Sequence, residues 1–252
     1  MTAPSAAAAR RPPMLALVTY TLRTSLSAKR WAGILVPSVA AVLFGLLARS
    51  LDGSSAARFA EVASTALFPL ILPVTCLVVG DAVLGSEIRA GSFAFTWLSP
   101  VPTWQITIGR WCGGAIVAVV CTSASFALSA VAAGAAQSAA GAALAGAFGS
   151  MAYVAVFIAI GCVARRAAVW SLAFVFLVER LLGTALAGIA QLSPGWEARA
   201  AFLRFVDGPA DLVRTGIPAG LGALVRLTAI TIVALAVAAW RLAHLTLAGS
   251  SE

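Results

Sequence analysis

The sequence predicts an all-α membrane protein: six transmembrane helices, an N-terminal interfacial helix, and a cytoplasmic segment between the second and third spans. Three observations predict it. Apolar residues make up 61% of the 252 positions and charged residues only 10%, well below the charged share of soluble domains. The apolar residues fall into runs long enough to cross a bilayer, which takes roughly 20 helical residues each. The charges collect between those runs, where a spanning chain meets headgroups and water.

This length accommodates about six spans and leaves little for a soluble catalytic domain, so a single membrane domain is expected. The net charge of +8 is spread in short groups between apolar runs. It does not form one interleaved basic and aromatic surface, so it argues for membrane orientation and against nucleic acid. Cys76, Cys112, Cys121 and Cys162 sit within or beside apolar runs with no Cys-x-x-Cys spacing and no nearby His. They read as packing residues, and no metal site is expected.

Residues 1–13, rich in Ala and Pro with two Arg, read as a disordered tail. No apolar core with a small-residue cleavage site follows, so a signal peptide is not expected. Residues 14–30 read as an interfacial amphipathic helix. Leu15, Val18, Leu22 and Leu26 share one helical face, and Arg23, Lys29 and Arg30 are available to headgroups. The competing reading is a helix packed on this protein.

A six-span domain then covers 31–243, with spans at 31–48, 62–80, 111–133, 144–163, 167–189 and 221–243, and 244–252 forms a cytoplasmic tail. Pro37, Pro69 and Pro73 fall inside the first two spans and should bend them. Gly113, Gly114, Gly134, Gly141, Gly146 and Gly149 crowd the third and fourth spans and should permit close helix approach. The connection 191–220 should lie at the outer interface, with Trp196 and Phe202 anchored among headgroups.

Alternate loops sort the basic residues. Arg10, Arg11, Arg23, Lys29, Arg30, Arg89, Arg110, Arg165, Arg166 and Arg241 fall on one side, clustered near span ends. Arg49, Arg58, Arg199, Arg204, Arg214 and Arg226 fall on the other, offset there by Asp52, Glu61, Glu197, Asp207 and Asp211. The positive-inside rule then places both termini and the 81–110 connection in the cytoplasm, in a multi-pass plasma-membrane protein.

Catalysis needs converging acid, base or nucleophile groups. The single His is His244, near the C-terminus, and no Gly-x-Ser-x-Gly elbow, His-Glu-x-x-His helix or phosphate-binding Gly-x-x-x-x-Gly-Lys loop occurs. No catalytic residue is expected. Glu179 and Arg180 lie in the fifth span, where an ionisable side chain is costly and faces protein or a water-filled cavity. They are intramembrane polar candidates, either for substrate or for a structural or subunit contact, and each needs its own partner.

The 81–110 connection is the most informative stretch. It is long, polar and broken by Pro100 and Pro102, yet it carries Phe93, Phe95, Trp97 and Trp104. Two short segments angled along the membrane surface would result, aromatics among headgroups and Glu87 and Arg89 toward the cytosol. Such a connection should dock something.

These residues resemble the membrane subunit of type-2 ABC exporters. That family joins its second and third spans by a cytoplasmic segment of the form Glu-x-x-x-Gly-Thr, then Ser-Pro, then Gly-Lys. The matches are Glu87, Gly91 with Ser92 for Thr, Ser99-Pro100, and Gly109 with Arg110 for Lys. The span count, the helix before the first span and the cytoplasmic termini extend the likeness over nearly the whole chain. Charged residues around the Glu are thinner than the family's. The resemblance implies that Glu87, Arg89, Gly91, Ser92, Ser99 and Pro100 form a coupling segment seated in a cytosolic ABC ATPase. That partner would bind the ATP, so this chain would need no cofactor. It also implies a second permease chain, identical or homologous, and ATP-driven export of an amphipathic small molecule, drug-like compound or lipid. The alternatives are an ATP-independent immunity or signalling protein acting through protein contacts, and a proton-coupled carrier, which would need Glu179 to titrate and the two halves to show repeat symmetry.

Overall fold

The computed structural model describes residues 13–25, 28–85, 101–164, 166–206, 212 and 220–244. Among them all regular structure is helical. Six helices are long and apolar enough to cross a membrane: α2 (Arg30–Ser50), α3 (Ser55–Val83), α4 (Thr103–Ala132), α5 (Ala136–Val163), α6 (Ala167–Ala185) and α8 (Leu221–Ala243). The chain is a multi-pass membrane protein. Before the spans comes α1 (Pro13–Ser25), and between the last two lies the short α7 (Pro194–Phe205).

Each helix starts and stops for local reasons. Ser54 caps α3 by accepting the Ala57 N–H at 3.3 Å, and Pro102 in extended conformation delivers the chain into α4. Gly134, at φ +80°, makes the reversal between α4 and α5. It packs against nothing within 4 Å, so it serves the turn and not the close approach expected of it. The other glycines do bring helices together. A Cβ on Gly146 would sit 3.0 Å from the Phe126 ring, and one on Gly149 would sit 2.8 Å from Leu72. Lipid is as apolar as a span, so packing of this kind, more than water exclusion, holds spans to one another.

The prolines of α3 act by widening it. Pro69 has no N–H to give, and residues 63–71 around it form π-helical turns before α-helical geometry resumes at Leu72. The α3 helix begins seven positions earlier than the apolar run, at Ser55 instead of 62. Likewise α4 begins at Thr103, directly after Pro102, where hydropathy alone suggests 111.

The helix expected over 14–30 ends at Ser25, and Ala28 already belongs to the first spanning helix. The face it turns to the protein is distinct from the apolar face expected to meet lipid. Thr21 and Ser25 are buried, whereas Leu15 is 57% exposed. The reason lies on α4. Gly109 and Gly113 form a smooth strip, and Cβ atoms there would come within 3.1 Å of Leu17 and 2.6 Å of Thr21. Arg110, next to that strip and buried, lies over the Tyr20 ring at 4.6 Å. Thus α1 packs on this protein, and the Gly109-Arg110 pair builds its dock.

Six crossings put α1, the start of α4 and the ends of α5 and α8 at one end of the bundle. At the other end Phe59, Phe68 and Phe202 meet in a buried aromatic cluster, with ring centroids 5.7 Å apart for Phe59–Phe202 and 5.2 Å for Phe68–Phe202. Phe126 joins edge-on to Phe68 at 5.3 Å. Each such pair is worth about 0.5–1.5 kcal/mol beyond its buried area. Phe202 is fully buried there, which corrects the expectation that it anchors among headgroups. Helix α7 packs inward onto α3, α5 and α8.

Candidate functional site

The polar centre of the described structure is built on Glu179. Residues 174–182 of α6 form wide π-helical turns, a geometry frequent at functional sites, and within them Glu179 is 4% exposed while Arg180 is exposed. The two adjacent ionisable residues thus differ in burial, although both line the same small cavity. Glu179 lies just past the midpoint of α6, in the half that leads to α7.

Its carboxylate is fully engaged. The Tyr153 hydroxyl of α5 donates to Oε2, and the Ser193 hydroxyl, at the N-cap of α7, donates to Oε1 at 2.7 Å. The Gly195 backbone N–H also donates to it. Ser193 Oγ in turn accepts the Trp196 N–H at 3.3 Å, and Trp196 Nε1 donates to the Glu179 carbonyl oxygen at 3.2 Å. A buried carboxylate is tolerable only with such a donor set. Two glycines make room for it. A Cβ on Gly195 would sit 2.5 Å from the Tyr153 hydroxyl, and one on Gly183 would sit 2.9 Å from Trp196 Nε1.

A cavity of about 20 Å³ adjoins the node, lined by Ser64, Phe68, Arg180 and Arg199 among others. That holds about one water molecule and no organic substrate. Arg199 lies over the Trp196 ring at 5.2 Å and donates to the Leu212 carbonyl at 3.0 Å. With its oxygens committed to α5 and α7, Glu179 is placed to tie elements together.

A second buried acid sits one turn further along α7. Glu197 is fully buried and pairs with Arg226 of α8 at 3.6 Å, while neither carboxylate oxygen has a hydrogen bond among the described residues. Burial pushes its carboxyl up to about 7, against the opposing pull of Arg226.

Of the expected site residues, Glu179 and Arg180 are thus placed. Glu87, Arg89, Gly91, Ser92, Ser99 and Pro100 lie outside the described residues, which end at Gly85 and resume at Val101. No His, Cys, Asp or Glu cluster able to hold a metal occurs among the described residues. Sequence reasoning missed Tyr153 and Ser193. The signal for Tyr153 was present, because a tyrosine inside a span needs an acceptor for its hydroxyl and Glu179 was the available intramembrane acid. Ser193-Pro194 carried the usual signature of a helix start, an N-cap serine followed by proline at the first helical position.

No protein-family model matches the chain, and no curated protein is significantly similar to it.

Proposed function

We propose that this chain is the membrane subunit of an ATP-driven exporter of the type-2 ABC class. It would move an amphipathic small molecule, drug-like compound or lipid across the plasma membrane, coupled to a separate cytosolic ATPase and paired with a second permease chain. The observation that carries this reading is positional. The Glu87, Gly91-Ser92 and Ser99-Pro100 pattern occupies the connection between the second and third of six spans. That connection leaves and re-enters the bundle at the end where α1 is docked. Both termini would then be cytoplasmic, on the side the basic residues favour.

In this reading the chain hydrolyses no ATP. Closure of the ATPase pair pushes on the 86–102 connection, and the push reaches α3 and α4 directly because the connection is continuous with both. The wide turn around Pro69 gives α3 a place to change its bend. Glu179, Tyr153 and Ser193 hold α7 to α5 and α6, so displacement at the coupling end works against a fixed seat.

Affinity capture of the tagged protein, with identification of what co-purifies, tests the reading. An ABC ATPase is expected. Glu87→Arg should leave the chain inserted but reduce its stimulation of that ATPase. ATP hydrolysis that is equal with and without the substitution would overturn the coupling assignment. Capture of other proteins and no ATPase would favour an immunity or signalling protein instead.

A further inference from the structure

A large cavity lies away from the Glu179 node. It is an apolar cleft of about 670 Å³ between α5, α6 and α8, lined by Ile160, Val163, Trp170, Phe174, Leu177 and Val237 together with a few alanines. Its volume falls within the range of about 300–1,000 Å³ typical of small-molecule sites. The cleft opens laterally between membrane helices, and its position is set by the chain. It is bounded by the end of α5, the first half of α6 and the last turns of α8, all at the same end of the bundle.

That end has the character of a headgroup layer. Trp170 and Trp240 are 61% and 58% exposed, a placement typical of interfacial tryptophans. Two arginines lie one helical turn from lining residues at that end, Arg166 before Trp170 and Arg241 after Val237. Arg166 is exposed at the N-cap of α6. Arg241 is one helical turn beyond Val237 on α8, and its guanidinium lies near enough to the Cys162 thiol, beside Val163, to interact with it electrostatically. No acidic side chain pairs with Arg241 among the described residues, and its Nε is buried without a hydrogen-bond partner. An arginine that merely snorkelled from a helix end would keep Nε in water.

We propose that this cleft holds an acyl chain of an anionic phospholipid whose phosphate is bound by Arg241 and Arg166. The apolar walls take the chain, and the phosphodiester supplies the acceptor that Arg241 Nε lacks, in the bidentate geometry arginine favours. Basic pockets between spanning helices recognise anionic lipid in this way. The lipid is resident and requires no ATP, so the site is independent of the exporter reading.

The test uses the full chain alone, purified in neutral detergent and titrated with phosphatidylglycerol or phosphatidylcholine, with retained lipid counted by native mass spectrometry. Phosphatidylglycerol should be retained in preference. Arg241→Ala should weaken it about fivefold, the worth of one basic charge near a membrane surface, and Arg241→Lys, which keeps the charge but loses the bidentate fork, should restore only part of the binding. Ala173→Phe, which fills the cleft without touching a charge, should weaken both lipids. Equal retention of the two lipids overturns the proposal, as does phosphatidylglycerol binding that survives both Arg241→Ala and Ala173→Phe. Competition by glycerol phosphate as effective as the whole lipid would show a phosphate site without a chain and would also overturn it. A disulfide formed between two copies of Leu177→Cys would put a second chain over the cleft in place of the lipid, and the proposal would fall on that result too.

Discussion

The Tyr153 hydroxyl on α5 donates to the Glu179 carboxylate on α6, and both groups are buried. This one bond, with Ser193 on the second carboxylate oxygen, joins two spans and the start of α7 through a single side chain.

Removal of that side chain should therefore be felt by all three. Glu179→Ala leaves the Tyr153 and Ser193 hydroxyls buried without their acceptor, at a cost of roughly 2–4 kcal/mol. Glu179→Gln, which still offers an oxygen, should cost less. Thermal unfolding in mild detergent checks both, and an unchanged midpoint for the alanine variant would mean that the node holds nothing together.

Backbone crowding beside the same node predicts a contrast between two glycines. Gly195→Ala places a methyl 2.5 Å from the Tyr153 hydroxyl, whereas Gly188→Ala meets nothing within 4 Å. The first should lower stability by about 1–3 kcal/mol through overpacking, and the second should be near neutral. Equal midpoints for the two variants would contradict the packing described.

At the crossing of α2 and α4 the approach is closer still. A Cβ on Gly45 would lie 2.2 Å from the Ser129 carbonyl oxygen, and Ser129 Oγ donates to the Ala41 carbonyl at 2.7 Å. Gly45→Ala should push the helices apart and cost about 1–3 kcal/mol. Ser129→Ala removes only an interhelical hydrogen bond, worth about 0.6 kcal/mol in membrane proteins. If Ser129→Ala proves the more damaging, the backbone contact does not govern this crossing.

Acidity should strengthen the seat of α7. The Glu197 carboxyl is pushed up to about 7 when α7 is docked, from an ordinary value near 4.5. The docked form therefore binds more protons than the undocked form between roughly pH 4.5 and 7, and its stability falls as pH rises through that window. Glu197→Gln should flatten the dependence. Hydrogen exchange across 194–205, measured at pH 5.5 and pH 8, reads this directly, and exchange that is faster at the lower pH after correction for intrinsic rates would reverse the sign.

The spans were legible in the sequence because a bilayer imposes length and polarity on any helix that crosses it. The sixth span matches at both ends, for apolar residues there stop where the helix stops. The ends of α3 and α4 were not legible, since Ser55–Glu61 and Thr103–Arg110 are helical through capping and packing while remaining polar in composition. The burial of Phe202 was hidden for the opposite reason. Composition makes an aromatic near a span end an interfacial anchor, and only the partners Phe59 and Phe68, far away in the chain, make it core. Glu179 was visible as a costly intramembrane acid, but its donors come from separate stretches of sequence that only the fold brings together.

The seat of α1 on Gly109 and Gly113 sets an order of events during synthesis. Leu17 and Thr21 leave the ribosome long before the strip they rest on. Until α4 has entered the bilayer, α1 lacks its main seat and rests on the lipid surface, where its exposed Leu15 and Tyr20 can lie among headgroups. Docking of α1 is thus a late checkpoint, passed only after the third membrane crossing is in place.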